Sequence, residues 1–337
     1  MSDAAFDLVL IWAAILALAV FMYVVMDGFD LGIGILFPAL RDKDHRGTML
    51  NSIAPVWDGN ETWLVLGGGG MMAVFPLAYS ILMTAFYAPL ILMLLALVFR
   101  GVAFEFRFRD ERHRPFWDWA FAAGSILATF CQGIVLGAFI QGIAIEGRTY
   151  AGGWYDWLTP FSVFTGIALI AGYALLGATW LVMKTSGELH DSSRRLARPL
   201  LWIVVGAVGL VSLWTPLLNT TIAARWFSWP NIAYLSPVPI LVALVTLWLD
   251  RAITTGREKL PFMLSLVLFV LSYLGLGISL FPHIVPPQID IWQAAAPEES
   301  LKFLLVGGGA LLPLILAYTA YVYWVFRGKT EAGSGYH

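Results

Sequence analysis

The sequence predicts an all-α polytopic membrane protein: nine transmembrane helices in a single integral-membrane domain, 1–337. Three observations carry that expectation. Apolar residues make up 59% of the chain and charged residues 12%, against about 25% charged in ordinary globular chains. Mean hydropathy is +0.78. Apolar runs long enough to cross a bilayer core of ~30 Å recur along the whole length. A soluble enzyme, a disordered chain and a secreted disulfide scaffold are excluded. With net charge -2 and no dense basic block, nucleic acid is not an expected partner. The lone Cys131 has no intrachain partner and reads as packing. Met1 to Leu8 carries no basic residue and precedes a run too long for an h-region, so no removable signal is expected.

The segments run roughly 6–37, 53–75, 77–99, 116–140, 160–183, 199–220, 234–250, 260–281 and 303–326. The first is long because apolar sequence continues past an acidic cluster at 27–30. Pro76 separates the second and third as a tight hairpin. Pro237 and Pro239 make the seventh the weakest. Segments 1–4 and 5–8 suggest two four-helix bundles, with the ninth helix peripheral.

Basic residues in the connections set the orientation. Arg41, Lys43 and Arg46 follow segment one; Arg100, Arg107, Arg109, Arg112 and Arg114 follow segment three; Lys184, Arg194, Arg195 and Arg198 follow segment five. Arg251, Arg257 and Lys259 follow segment seven, and Arg327 and Lys329 end the chain. The alternate connections hold only Arg148, Arg225 and Lys302. Seventeen of twenty basic residues thus fall on one side, which predicts a periplasmic N-terminus and a cytoplasmic C-terminus.

Carboxylates within such segments are costly, at least ~2.5–3.5 kcal/mol each, so they face protein, water or a partner. Asp27 and Asp30, three apart, share a helix face at the cytoplasmic end of segment one. Gly28, Gly32 and Gly34 permit close approach of another helix. The pair reads either as proton-accessible carboxylates or as helix-end groups solvated or paired with Arg41 or Lys43. Asp58 and Glu61 share a face at the start of segment two, with Trp57 one turn before Glu61. They fit a proton path or a helix start favoured by the dipole, with Pro55 in an N-terminal turn. Gly67 to Gly70 suggest packing against another backbone. Glu105 stands four residues before Arg109, within pairing reach. Arg107, Arg109, Arg112 and Arg114 read as a cytoplasmic anchor.

Histidines bear on cofactors, because axial heme ligands must project into a helix bundle. His45, His113 and His190 fall in connections, His283 at the outer end of segment eight, and His337 is the last residue. None is mid-membrane, so no heme is expected on this chain alone. No metal-ligand cluster, Cys-x-x-Cys or phosphate loop is present in the sequence.

Several motifs resemble subunit II of cytochrome bd-type quinol oxidases. They are Asp27-Gly28-Phe29-Asp30-Leu31-Gly32-Ile33-Gly34, Asn51 through Asn60, Gly187-Glu188-Leu189-His190, and Tyr318 through Trp324. Short periplasmic connections resemble the compact, cyanide-insensitive branch. The resemblance implies a complex of the bacterial plasma membrane that oxidises quinol and reduces oxygen to water. It places hemes b and d and quinol oxidation in a partner subunit I, with which this chain forms a heterodimer in membrane lipid, with room for a small accessory subunit and a bound quinone. It implies a cytoplasmic proton path in which Asp58 matches the central carboxylate, with Asp27, Asp30, Glu61 and Trp57 in or beside the matching motifs. Glu105 stands where many relatives have Asp. Trp292 matches a family tryptophan, while Gln293 replaces a common Asp. Two other classes compete: an independent ion-coupled transporter and a purely structural membrane partner. Transporters place charge near the midplane, whereas these carboxylates read as lying toward one end.

Overall fold

The computed structural model describes residues 7–40 and 42–330. Met1 to Phe6, with the first residue of the expected first segment, Arg41 and His337 lie outside the described residues, as does the side chain of Lys43. The fold is helical throughout, with two short hairpins. Its elements are α1 (Leu8–Leu36), α2 (Lys43–Asn51), α3 (Trp57–Val74), α4 (Pro76–Ala85), α5 (Tyr87–Arg109), α6 (Arg114–Gln141) and the hairpin β1 (Ile145–Glu146) with β2 (Thr149–Tyr150). Then come α7 (Pro160–Lys184), α8 (Gly187–Leu218), α9 (Thr220–Phe227), α10 (Asn231–Leu235), α11 (Pro237–Thr254) and α12 (Leu260–Leu280). The chain closes with β3 (His283–Val285), β4 (Ile289–Asp290), α13 (Ile291–Ala294) and α14 (Glu298–Val325). Both hairpins are antiparallel.

Local sequence sets the helix ends. Asp7 caps α1 by accepting from the amides of Val9 and Leu10. Thr159 and Ser162 form a reciprocal capping box at α7. Proline, lacking an amide donor, sits in the first turn of α4, α6, α7, α11 and α12. Between α7 and α8 the chain turns through Gly187, whose φ of +65° suits glycine.

Eight helical stretches are long and apolar enough to cross a membrane: α1, α5, α6, α7, α8, α10 with α11, α12 and α14. Helix α3 occupies the expected second segment but does not join them by hydropathy. Its first turns carry Asp58, Asn60 and Glu61, and its middle is four glycines. It still runs antiparallel along α1 from Met26 to Leu16. Asn60 meets the Met26 carbonyl, Gly67 faces Val20 and Gly70 faces Leu16.

Three expectations need correcting. The connection after α3 is not a tight hairpin. Pro76 opens a separate helix, α4, which packs on β2, β3 and α13, so the next span is 87–109 rather than 77–99. Helix α8 starts at Gly187, twelve residues before the expected 199, so Arg194, Arg195 and Arg198 are helical rather than in a connection. The run Gly67–Gly70 does not meet a backbone within this chain: Gly67 and Gly70 face side chains of α1, and nothing lies within 4 Å of a Cβ at Gly68 or Gly69.

Backbone contact occurs at other glycines. A Cβ on Gly32 would stand 2.0 Å from the Tyr173 carbonyl oxygen, and one on Gly177 would stand 2.5 Å from the Gly32 carbonyl carbon. Gly133 and Gly166 bring α6 and α7 equally close. Close backbone packing of this kind joins helices where lipid supplies no hydrophobic drive. Helix α7 is therefore the central strut, touching α1, α6, α8 and α12. One continuous buried core runs from Tyr23 and Phe29 through Leu175 and Leu181 to Leu249 and Phe262. Helix α14 leans on α1 and α3, meets Trp180 of α7 through Tyr323, and is largely exposed along its apolar stretch.

Candidate functional site

The carboxylates converge where α1, α3 and α5 meet. Asp27 and Asp30 are fully buried. The sequence places them at the end of the first helix; α1 continues nine residues beyond Asp27, and α5 nine beyond Arg100. At 1.5 Å per residue that is roughly 14 Å from the helix end for Asp27 and Arg100, and roughly 9 Å for Asp30, six residues before Leu36. Both aspartates are enclosed by protein rather than exposed at a helix end.

Their partner is Arg100, which sequence reading assigned to a connection. It is 1% exposed. Its Nη1 lies 3.3 Å from Asp27 Oδ1 and 3.6 Å from Glu61 Oε2, and its guanidinium faces the rings of Trp57 and Phe121 at 5.9 and 5.8 Å. Gly124 makes room for it: a Cβ there would meet Arg100 Cβ at 3.2 Å and the Ala96 carbonyl at 2.7 Å. None of the three guanidinium nitrogens, nor either Asp27 oxygen, has a hydrogen bond of ordinary geometry. The contact is ionic and loosely seated. A buried charge of this kind persists only if it is compensated.

Asp30 is held differently. Asn60 Nδ2 donates to Asp30 Oδ2 at 2.7 Å, and Tyr323 of α14 donates its hydroxyl to Asn60 Oδ1 at 2.8 Å. A second chain of donors starts deeper in the molecule. The Tyr173 hydroxyl donates to Gln132 Oε1 at 2.9 Å, and Gln132 Nε2 donates to the Tyr23 oxygen at 2.7 Å. Tyr23 stands one turn before Asp27 on α1 and interacts with its carboxyl. Phe29, between the two carboxylates in sequence, stacks on Trp180 at 4.2 Å and meets Phe262 edge-on at 5.7 Å. This aromatic wall anchors the face of α1 opposite the ion cluster.

The remaining expected residues spread outward. Glu61 bridges interior and surface, its side chain 31% exposed. Asp58 is exposed; it lies close enough to Glu61 to act on it electrostatically. Trp57 packs on Phe104 at 4.9 Å and beneath Gly101. Glu105 is outside the cluster, 55% exposed and 4.0 Å from Arg109. The structure thus brings Asp27, Asp30 and Glu61 together, sets Asp58 at their rim, and leaves Glu105 apart.

Sequence reading missed Asn60, Tyr323, Tyr23, Gln132, Tyr173 and the inward role of Arg100. Asn60 and Tyr323 do lie in the quoted motifs, whereas Arg100 fell just past the expected end of its span at 99 and lies well inside α5, which runs on to Arg109. It also missed a second ionic lock: Asp118 takes Arg46 at 3.0 Å and Arg107 Nε on its other oxygen. Arg107, like Arg100, is buried and no surface anchor. Through Arg46, which also donates to the carbonyls of Phe37 and Leu40, this lock ties the end of α1 to α5 and α6. Outside the spans, the His113 ring hydrogen-bonded to Asp110 holds that carboxyl below the ordinary carboxylate range, with help from the Trp117 indole.

Among the described residues, no histidine lies in the buried core. His45 is on α2, His113 precedes α6, His190 is in the first turn of α8 bonded to the Val182 carbonyl, and His283 lies in β3. No group of three or more His, Cys, Asp or Glu suited to a metal occurs among the described residues.

Comparison with known proteins follows this geometry. The chain is 30% identical to the cytochrome bd-I ubiquinol oxidase subunit 2 of Escherichia coli K12, covering 95% of this chain and 94% of that one. It is 25% identical to the cytochrome bd ubiquinol oxidase subunit 2 of Bacillus subtilis, covering 95% and 96%. The solved bd oxidase of Geobacillus thermodenitrificans shares the fold, with a TM-score of 0.77 at 18% identity over 95% of this chain and 99% of that one. The sequence model described as cytochrome bd terminal oxidase subunit II matches residues 8–326. With a match over nearly the whole chain, this protein belongs to the cytochrome bd terminal oxidase subunit II family.

Proposed function

We propose that this chain is the heme-free subunit II of a quinol oxidase that reduces oxygen to water, and that it supplies protons from the cytoplasm while bracing a heme-bearing subunit I. Family membership makes it part of a quinol-oxidising complex in the bacterial inner membrane. Hemes b and d and the quinol site belong, in this reading, to the partner subunit. Bound lipid and a small accessory subunit complete the assembly. Helix α3 is the ninth span, the N-terminus is periplasmic, and the helices group as two four-helix bundles with α14 peripheral.

One observation carries the proton role: three carboxylates gather around one buried guanidinium, and one of them, Glu61, reaches the surface beside Asp58. Oxygen reduction to water consumes protons, and the hemes supply the electron chemistry when bound in the partner. This chain's own groups hold and pass protons. Asp58 accepts a proton from the cytoplasmic side, Glu61 Oε2 relays it, and Arg100 offsets the charge left when Glu61 or Asp27 is ionised. Trp57 lids the guanidinium from the side. Glu105, outside the cluster, acts at the entrance by attracting cations.

The test is copurification. A tagged chain should bring down a heme-bearing subunit, and the complex should show heme absorption and quinol-driven oxygen uptake. If the chain purifies alone and instead drives ion uptake into vesicles, the transporter reading replaces this one.

A further inference from the structure

We infer that Asp27 and Asp30 form a proton store that exchanges with the outside through Glu61, and that the Asn60 and Gln132 amides close it on its other sides. This deepens the proton-uptake reading and rests on it: the path runs past Asp58 and Glu61, and the store is a side branch rather than a link in a line.

The argument starts from charge. Asp27, Asp30 and Glu61 bring three carboxyls to one guanidinium, and the two aspartates are fully buried with Arg100. Three ionised carboxylates would leave two uncompensated negative charges in a medium where even one is expensive. The cluster therefore retains protons. Arg100, 1% exposed, meets Asp27 and Glu61 through Nη1 at 3.3 and 3.6 Å, as ionic contacts without hydrogen bonds of ordinary geometry. One guanidinium thus lies against both carboxyls, and no fixed hydrogen bond to it must break when a proton changes sites.

The exits differ in chemistry. Among the described residues, the titratable or charged groups acting on the pair are Tyr23 on α1, Glu61 on α3, Arg100 on α5, Tyr173 on α7 and Tyr323 on α14, while Asp58 acts on Glu61. The route toward Tyr323 crosses the Asn60 side chain, and the route toward Tyr173 crosses the Gln132 side chain. In both, a phenol donates to the amide oxygen; the Asn60 nitrogen then donates to Asp30 Oδ2, and the Gln132 nitrogen donates to the oxygen of Tyr23, the phenol beside Asp27. An amide so placed orients a chain but does not pass a proton, because transfer through it needs the imidic acid. Of the groups acting directly on the pair, Glu61 alone is both a carboxyl and partly exposed, and no amide stands between it and Arg100.

Hydrogen–deuterium exchange of the carboxylic C=O infrared band in the purified two-subunit complex tests this without turnover. Asp27→Asn and Asp30→Asn identify the band, which should weaken in at least one of them. Glu61→Gln should slow its exchange by at least about tenfold, Glu61→Asp should restore it, and Gln132→Leu should leave it at the wild-type rate. Glu61→Met serves the same purpose if the Gln variant does not accumulate. Exchange at the wild-type rate in the Glu61 variants overturns the proposal. So does a tenfold change in Gln132→Leu, or the lack of a protonated band sensitive to either aspartate. Failure of the broader proton-uptake reading shows separately, as full oxygen uptake in Asp58→Asn.

Discussion

Arg100 is the residue on which the site turns. It sits 3.3 Å from Asp27 and 3.6 Å from Glu61 with 1% of its surface exposed. Removing one partner of a buried ion pair strands the other, at a typical cost of about 3–5 kcal/mol. Arg100→Leu should therefore block accumulation of the complex or lower its melting temperature sharply. Adding Asp27→Asn to that variant should recover part of the loss, since the stranded charge is then absent. A double variant no better than the single one would mean that the two side chains are not coupled. The sequence made the carboxylates visible, because charge in an apolar run is conspicuous. It hid Arg100, because an arginine close to a helix end looks like the basic residues of a connection. Asn60 and Gln132 were hidden for another reason: uncharged amides in an apolar helix carry no strong signal until their partners from α1, α7 and α14 are in place.

At the scale of elements, close backbone contact and terminal locks do the joining. Gly32→Val should prevent α1 and α7 from meeting, since even a Cβ would stand 2.0 Å from the Tyr173 carbonyl oxygen. Gly206→Ala, with nothing within 4 Å of its Cβ, should assemble normally; yields of heme-loaded complex separate the two. Helix α14 depends on Lys184, which donates to the carbonyls of Phe326 and Gly328 and lies over the Trp180 ring. Lys184→Met should raise amide exchange in the last turns of α14 while leaving α7 protected, and unchanged exchange there would remove the clamp from the account. The turn between α5 and α6 carries a pH dependence. Asp110 is held below the ordinary carboxylate range by His113, so its contribution is present above that range and is lost as pH falls through the lowered value. Asp110→Asn should flatten the acid side of the stability profile, read as melting temperature against pH. Helix bounds set by proline and glycine were legible, as at α12, where Pro261 and Pro282 bracket the helix. Helix α2 was not, because its charged first half masks a buried second half at Met49 and Leu50. Nor was α4, because Pro76 serves equally as a hairpin and as a first helical turn.

Across the whole molecule, the basic residues and the carboxylate cluster share one end. Arg109, Arg112, Arg195 and Arg257 remain exposed there and Arg114 is half-buried, while Arg100 and Arg107 turn inward, and the orientation bias survives their loss from the count. A reporter fused after His337 should read cytoplasm, and one placed at Arg148 periplasm; both on one side would contradict the nine-span arrangement. The central claim is that this end feeds protons to oxygen chemistry in the partner. The most direct measurement is quinol-driven oxygen uptake by the complex carrying Asp58→Asn, a nearly isosteric change at an exposed position that cannot titrate. Assembly and heme content should be normal, turnover should fall by at least about tenfold, or ~1.4 kcal/mol in the barrier, and Asp58→Glu should be milder. Full turnover and charge separation in Asp58→Asn, with normal heme, would contradict the account and leave Asp58 a helix-start residue.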